Sequence, residues 1–178
     1  YFYKQVCCTM VILGIDPAMR CTGYSVIEVK GVDNISILDC GVIRNKASMP
    51  HSECLRRLAG GIRELVSAFK PEACSIEDVF YGKNVKTSMI LSLARGSIIT
   101  VLAESSIPVY PFSPRSAKKA AVGSGAASKE QVAFLMSSML GIDVNGVPLD
   151  STDALALAVC LGQFMGRPDL KIMLPKQI

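Results

Sequence analysis

A short, unbroken apolar segment near the start of the chain ends at a carboxylate. Residues 11–15 (Val-Ile-Leu-Gly-Ile) directly precede Asp16 and Pro17. A strand with one solvated face alternates apolar and polar residues, whereas an unbroken apolar run of this length indicates a strand buried on both faces. A fold that contains such a strand has to cover it on both sides, which favours a sheet between layers of helices.

Strand and helix patterns follow along the rest of the chain. Two more strands are predicted before the first helix, at Tyr24–Val29 and Ile35–Ile43, with a hairpin turn at residues 31–34. The later predicted strands are Ala73–Glu77 and Val109–Phe112, and the predicted helices are His51–Phe69, Val85–Glu104, Ser116–Val122, Ser128–Leu140 and Asp150–Phe164. An antiparallel meander followed by βα units predicts an α/β domain with a five-stranded mixed sheet flanked by helices.

Composition limits the class of protein. The chain has 178 residues, of which 50% are hydrophobic, and a formal net charge of +4. These values suit one domain and permit a nucleic-acid partner without requiring one. A single His, and seven Cys without a C-x-x-C pair, disfavour zinc and predict reduced thiols in a cytoplasmic protein. No segment approaches the ~20 apolar residues of a membrane span, so no membrane association is expected.

Three segments are predicted within the chain. Residues 1–9 precede Met10, which stands directly before the apolar run, so we expect them to be a non-native or upstream extension. Residues 10–165 form the predicted domain. Residues 166–178 follow the last predicted helix and contain Pro168 and Pro175, which predicts a loosely attached C-terminal tail.

Four carboxylates occupy positions at which a metal site can form. Asp16 and Glu77 each end a predicted buried strand, and they meet at one end of the sheet if those strands are neighbours. Asp150 and Asp153 lie in the first turn of a predicted helix, ~60° apart around its axis. All-oxygen ligands favour Mg²⁺ or Mn²⁺. Two such ions ~3.5–4 Å apart can activate water for phosphodiester cleavage.

Each carboxylate also has an ordinary structural explanation. Asp16 before a proline is typical of an Asx turn. Asp150 is a good helix N-cap, and Asp153 in the first turn interacts favourably with the helix dipole. Glu77 is harder to explain in this way, because a carboxylate that ends a buried strand is costly unless it is paired or bound to a cation. Spacing alone therefore leaves both interpretations open.

Five motifs in order resemble the RuvC family of bacterial Holliday-junction endonucleases. They are residues 11–24 (VILGIDPAMRCTGY), 76–80 (IEDVF) with Lys83-Asn84, 94–96 (ARG), 122–125 (VGSG) with Lys129, and 150–156 (DSTDALA). The likeness covers about residues 10–165. Ala18 stands where the family usually has Gly, and Met19 where it usually has Ser. Because Ala tolerates positive φ poorly, we expect the loop after Asp16 to differ in shape.

The resemblance implies a ribonuclease H-like fold, a homodimer, and resolution of four-way junctions in recombination and repair by paired symmetric nicks. It implies two Mg²⁺ ions in each site, which Mn²⁺ can replace, bound by acids that correspond to Asp16, Glu77, Asp150 and Asp153. Some relatives carry His at the position of Asp150. Junction-binding and branch-migration motor proteins are implied as partners.

A basic group and an aromatic group are candidate DNA contacts. The candidate residues are Phe80, Tyr81, Lys83, Arg115, Lys118, Lys119 and Lys129. By resemblance, Phe80 is an aromatic that stacks on a base, and Lys118 and Lys129 are DNA-contacting lysines. The Gly-Ser-Gly loop at 123–125 can also offer backbone amides to phosphate. The ordinary alternatives are a solvated basic helix face and two core aromatics. The helix from Val85 is the predicted dimer face.

Three other classes of protein compete with the junction nuclease. A sugar-kinase or actin-like ATPase shares the sheet topology, but residues 16–19 (Asp-Pro-Ala-Met) lack its phosphate-binding turn and the chain is too short for its second domain. A catalytically inactive DNA-binding dimer is disfavoured by the four acids. A ribonuclease H-like nuclease that acts on RNA is the nearest rival, and the basic segment from Lys118 to Lys129 favours junction DNA.

Overall fold

The computed structural model describes residues 9–31, 34–78, 84–122, 124–140, 151–167, 170 and 173–178. Its strands are β1 (Met10–Asp16), β2 (Cys21–Gly31), β3 (Asn34–Arg44), β4 (Ala73–Glu77) and β5 (Val109–Phe112). Its helices are α1 (His51–Phe69), α2 (Val85–Glu104), α3 (Pro114–Val122), α4 (Lys129–Leu140) and α5 (Thr152–Gly166). Each predicted strand and helix is confirmed, and only the bounds differ, by a few residues.

The strands form a five-stranded sheet in the order β3-β2-β1-β4-β5. The first three strands are antiparallel neighbours, and β4 and β5 add in parallel to β1 and to one another. The predicted mixed sheet is therefore confirmed. Four strands end at the same end of the sheet, which we name the carboxyl end. Its terminal residues are Asp16 of β1, Arg44 of β3, Glu77 of β4 and Phe112 of β5.

Helices cover the central strand β1 on both faces. Ile12 belongs to a core formed with α5, α3 and α4, while Leu13 and Ile15 belong to a second core formed with α1 and α2. All three side chains are fully buried. Successive side chains of a strand point to opposite faces, so both faces of β1 need apolar residues. This packing explains the unbroken apolar run of the sequence.

The helix α5 lies directly on β1, where Gly14 leaves no side chain between them. A Cβ at Gly14 would meet the carbonyl oxygen of Ala154, and it would lie 2.8 Å from both the backbone nitrogen and the Cβ of Ala158. At its other end, α5 passes Val29 of β2 at Gly162. The first turn of α5 is therefore held against β1 two residues before Asp16.

Two helix starts follow local rules. The N-terminus of α4 is a capping box, in which Ser128 N donates to Gln131 Oε1 (2.9 Å) and Gln131 N donates to Ser128 Oγ (3.2 Å). The helix α3 begins at Pro114, two residues earlier than predicted, because proline lacks an N–H that the first turn would leave unpaired.

The helix α2 contradicts the expectation that no segment of the chain approaches the length and apolar character of a membrane span. It has 20 residues and a mean hydropathy of 1.4, which is long and apolar enough to cross a membrane by length and composition alone. The expectation that no segment reaches this limit is therefore wrong. In the fold, its second half buries Ala94, Ile98 and Leu102 against the sheet and α1. The apolar composition of this half therefore serves the core of the domain.

The C-terminal residues contact the edge strand β5. Ile178 N donates to Val109 O (3.1 Å), and Gln177 Nε2 donates to Tyr110 Oη (2.8 Å). Leu174 packs against the core beneath α5. Residues 1–8 lie outside the described residues, so the proposed division at Met10 stays a prediction.

Gly14→Ala should lower the free energy of unfolding by ~1–3 kcal/mol, because the added methyl group overpacks the contact between β1 and α5. Gly60→Ala in α1 is the matched control, since a Cβ there meets nothing within 4 Å. We expect Gly60→Ala to stabilise the protein by ~0.5–1 kcal/mol. Urea denaturation monitored by circular dichroism measures both changes. Equal stabilities of the two variants would contradict the close packing at Gly14.

Candidate active site

Asp16 and Glu77 end neighbouring parallel strands and point to the same face of the sheet. Ile12 pairs with Ala73, and both residues belong to the core on the α5 face. Asp16 and Glu77 each lie four residues further along, so they keep this pairing and this face. Neighbouring strands are ~4.8 Å apart. The two carboxylates that the sequence places 61 residues apart therefore lie side by side at the carboxyl end.

Asp153 approaches the same place from α5. It lies in the first turn of that helix, next to Ala154, whose carbonyl packs on Gly14. Glu77 and Asp153 line one small cavity together with residues of α3 and α5. The side chain of Asp153 is 19% exposed, so its charge is held in a partly dehydrated position. Three of the four predicted acids thus converge on one end of the sheet.

A lysine accompanies the acids. Lys118 of α3 lines the same cavity, and its Nζ lies 3.5 Å from Asp153 Oδ1. The Lys118 side chain is 18% exposed. No basic residue lies within three positions of Asp16, Glu77 or Asp153 in the sequence, and the fold supplies one from a different helix. A half-buried ammonium beside carboxylates offsets their mutual repulsion and can meet an incoming phosphate.

The donor set fits a hard divalent cation by its chemistry. Asp16, Glu77 and Asp153 offer oxygen ligands alone, which Mg²⁺ and Mn²⁺ prefer. Within the described ranges, no group of three or more His, Cys, Asp or Glu side chains is close enough to hold one metal ion. Asp150, the fourth predicted ligand, lies outside the described residues. The three described acids therefore supply oxygen ligands for part of a metal site.

Arg95 of α2 fixes the backbone at Glu77. Its Nε donates to Glu77 O (3.2 Å), and its Nη2 lies 3.7 Å from Asp78 Oδ1. The Arg95 side chain is 15% exposed. We assigned no role to this residue from the sequence, although it lies within a motif shared with the family. The available signal was an arginine next to core positions of an apolar helix, which requires a buried partner.

Part of the predicted DNA-binding surface lies within the described residues. Arg115 and Lys119 are exposed on α3, beside the half-buried Lys118. The loop at Gly125 packs on Arg115, since a Cβ there would lie 2.9 Å from its carbonyl oxygen. These contacts bring three of the predicted basic residues to one side of the acids. Phe80, Tyr81, Lys83 and the side chain of Lys129 lie outside the described residues.

Comparison with known proteins decides the family. The model of the family described as crossover junction endodeoxyribonuclease RuvC matches residues 12–161. The chain belongs to the RuvC family. The RuvC of Chlorobaculum parvum is 42% identical over 152 residues, which cover 85% of this chain and 80% of the relative. The RuvC of Pelotomaculum thermopropionicum is 34% identical over 151 residues, which cover 85% and 92%.

Solved structures agree with this assignment. Thermus thermophilus RuvC in complex with a Holliday junction substrate superposes with a TM-score of 0.84 and 28% identity, over 95% of this chain and 99% of that one. A yeast mitochondrial Holliday junction resolvase, 14% identical, shares the fold with a TM-score of 0.63 over 85% and 77% of the two chains. The expected ribonuclease H-like architecture is confirmed, and the family is one of metal-dependent nucleases.

The two departures from the RuvC motif do not strain the loop after Asp16. Lys70 and Ser106 are the described non-glycine residues with positive φ, so Ala18 lies outside that region. Thr22 braces the loop, because its Oγ donates to Ala18 O (2.6 Å) and accepts from Ala18 N (3.1 Å). Ala18 therefore replaces the usual glycine without a backbone penalty.

Arg95→Gln should weaken divalent-ion binding about 10-fold, because groups that orient metal ligands typically contribute this much to affinity. Titration calorimetry with Mn²⁺ measures the affinity. Arg95→Lys is the matched control, since it keeps the charge near Asp78 and should retain part of the affinity. A thermal melt of each variant tests for general unfolding. Unchanged Mn²⁺ affinity in a folded Arg95→Gln variant would remove the positioning role.

Proposed function

We propose that this protein is a structure-specific endonuclease that resolves Holliday junctions during homologous recombination and DNA repair. The reaction is hydrolysis of phosphodiester bonds by paired symmetric nicks, with two Mg²⁺ ions in each active site and Mn²⁺ as a substitute. The observation that supports this proposal most is the convergence of Asp16, Glu77 and Asp153 at one end of the sheet, in a chain of the RuvC family.

The residues of this chain have distinct roles in the proposed reaction. Asp16, Glu77, Asp150 and Asp153 hold the ions. When bound, a pair of such ions lowers the pKa of an attacking water and stabilises the leaving oxygen. Lys118, 3.5 Å from Asp153, presents its ammonium to the phosphate that binds beside the acids. Arg95 keeps the carbonyl of Glu77 in place, so that the carboxylate is positioned before the substrate binds.

The proposed DNA surface extends from the acids along α3. Arg115 and Lys119 contact backbone phosphates beside the cleaved bond, and Lys83 and Lys129 extend this basic surface. Phe80 and Tyr81 follow directly after the Glu77 segment in the sequence, and we assign to them stacking on bases near the crossover, worth ~1–3 kcal/mol per base. Phosphate contacts make affinity depend on salt, whereas stacking makes binding depend on unpaired bases.

We further propose that α2 forms the interface of a homodimer. Val85, Met89 and Leu93 are 71%, 64% and 52% exposed, and their spacing of four residues places them on one stripe of the helix. An exposed apolar stripe of this kind fits a second copy of itself across a two-fold axis. A two-fold dimer presents two equivalent active sites, which suits two symmetric nicks in one junction.

The setting of the proposed reaction follows from its substrate. Chromosomal junctions lie in the bacterial cytoplasm, and we place the protein there. Junction-binding and branch-migration motor proteins are proposed partners. A nuclease that acts on RNA remains the rival function, and a substrate panel separates the two.

Asp16→Asn should abolish cleavage of a labelled four-way junction while junction binding stays within a few fold of wild type, because the change removes a ligand charge and keeps the shape. Gel analysis of cleavage with Mg²⁺ and with EDTA, and anisotropy for binding, provide the measurements. Linear duplex and an RNA–DNA hybrid serve as substrate controls. Cleavage of the hybrid in preference to the junction would support the RNA-directed rival. Retained cutting by Asp16→Asn would contradict the site.

Met89→Glu combined with Leu93→Glu should convert the dimer to a monomer, because four carboxylates would then face one another across the two-fold axis. Light scattering after size-exclusion chromatography measures the mass. Thr87→Glu is the matched control, since Thr87 is exposed on the opposite side of the same helix. A wild-type monomer, or a double variant that remains dimeric, would place the interface elsewhere.

A further inference from the structure

A second basic group lies at the carboxyl end of the sheet, on the side away from Lys118. It consists of Arg44, the last residue of β3, and Lys46, two residues further along. We propose that Arg44 and Lys46 bind backbone phosphates of a junction arm that leaves the active site across β2 and β3. This inference rests on the proposed function, and it adds a DNA surface on the opposite side of the acids from α3.

The sheet register places this group close to the catalytic acids. Gly23 of β2 pairs with Asp16 on one side and with Val42 of β3 on the other. Two strand spacings, ~10 Å, therefore separate Asp16 from the line of β3. Arg44 lies just beyond Val42, paired with Cys21. Measured along the axis of a duplex, with a rise of 3.4 Å per nucleotide, ~10 Å corresponds to about three nucleotides of one strand.

The loop that carries Lys46 is bonded to the loop that follows Asp16. Asn45 N donates to Arg20 O (2.9 Å), and Asn45 Nδ2 donates to Met19 O (2.9 Å). Arg20 Nη1 in turn donates to the carbonyls of Lys46 (2.6 Å) and Met49 (2.9 Å). Asn45 is 8% exposed. The backbone at Lys46 is therefore fixed in advance relative to the active site, which lowers the entropic cost of binding.

The neighbouring arginines serve other purposes. Arg56 makes two bonds to Glu53, at 2.8 and 2.6 Å. Arg57 Nε donates to Asn45 Oδ1 (3.1 Å) and thus braces the same loop. With Arg44, they line a groove of about 550 Å³ between β3 and α1. Arg44 and Lys46 are both exposed, and both lie at the carboxyl end of the sheet on the β3 side of Asp16.

The arrangement of charge favours an extended polyanion as the ligand. Across the carboxyl end, the order is Arg44 and Lys46 at the end of β3, Asp16 and Glu77 in the centre, and Lys118 and Arg115 after β5. A phosphate chain that crosses the acids meets a basic group on either side. A short acidic peptide could bind the basic group at β3 alone. A nucleic-acid backbone is long enough to contact the basic groups on both sides of the acids.

The test compares the salt dependence of DNA affinity between matched variants. Arg44→Gln combined with Lys46→Gln should reduce the slope of log K against log salt by ~1.8, since each phosphate contact contributes ~0.9. Lys70→Gln combined with Lys176→Gln removes the same charge from exposed residues at the amino end of the sheet and should leave the slope unchanged. Affinity for a four-way junction is measured in EDTA by anisotropy, between 50 and 200 mM salt.

A charge-preserving variant separates phosphate contact from loop structure. Arg44→Lys combined with Lys46→Arg should keep the wild-type slope, because both cations remain. Equal slopes for wild type and the double-Gln variant would overturn the inference. A reduced slope of log K against log salt in the charge-preserving variant would also overturn it, since the reduction would then come from a change in loop structure and not from lost charge.

The same variants distinguish this inference from the nuclease proposal. Cleavage is measured separately with Mg²⁺. Junction binding with the expected change in slope, but without cleavage by wild type, would contradict the nuclease and support the phosphate contact. Cleavage by wild type, with no change in slope in the double-Gln variant, would support the nuclease and contradict the phosphate contact. Failure of wild type to bind junction DNA would contradict both.

Discussion

The contact between α5 and β1 at Gly14 is the constraint on which the active site depends. At this position the helix backbone meets the strand backbone with no side chain between them. The contact sets the depth of the first turn of α5, which carries Asp153, relative to the strand that ends at Asp16. A residue with a larger side chain at position 14 would push α5 away from β1. Asp153 would then lie further from Asp16, although neither acid had been substituted. The packing of an apolar core thus determines the distance between charged groups.

Charge at the carboxyl end of the sheet is arranged in a fixed order. The acids lie in the centre, and Lys118 lies within ion-pair distance of Asp153. Carboxylates brought together in a partly dehydrated place repel one another unless a cation is present. The lysine supplies part of that compensation within the protein, and bound divalent ions supply the rest in the proposed reaction. Basic groups on both sides then favour a polyanion that crosses the acids.

The helix α2 connects the active site to the proposed dimer interface. Its exposed stripe contains Met89 and Leu93, and Arg95 of the same helix donates to the carbonyl of Glu77. A rigid helix transmits the position of one group to the other. In the proposed dimer, the interface and the arginine that holds the Glu77 carbonyl therefore belong to the same helix.

Much of this protein is determined by its sequence alone. The unbroken run at residues 11–15 and the order of periodic segments predicted the sheet, its mixed pairing and its helices, because hydrophobic periodicity directly reflects which faces are buried. Asp16 and Glu77 were found in the same way, as charges that end apolar runs, whereas Asp150 and Asp153 were found from their spacing in the first turn of a predicted helix. The sequence could not place Lys118 beside Asp153 or Arg95 beneath Glu77, and it did not join Lys46 to the loop after Asp16. Those contacts join residues far apart along the chain. The packing of α2, α3 and α5 on the sheet decided the first two, and the pairing of β1, β2 and β3 decided the third.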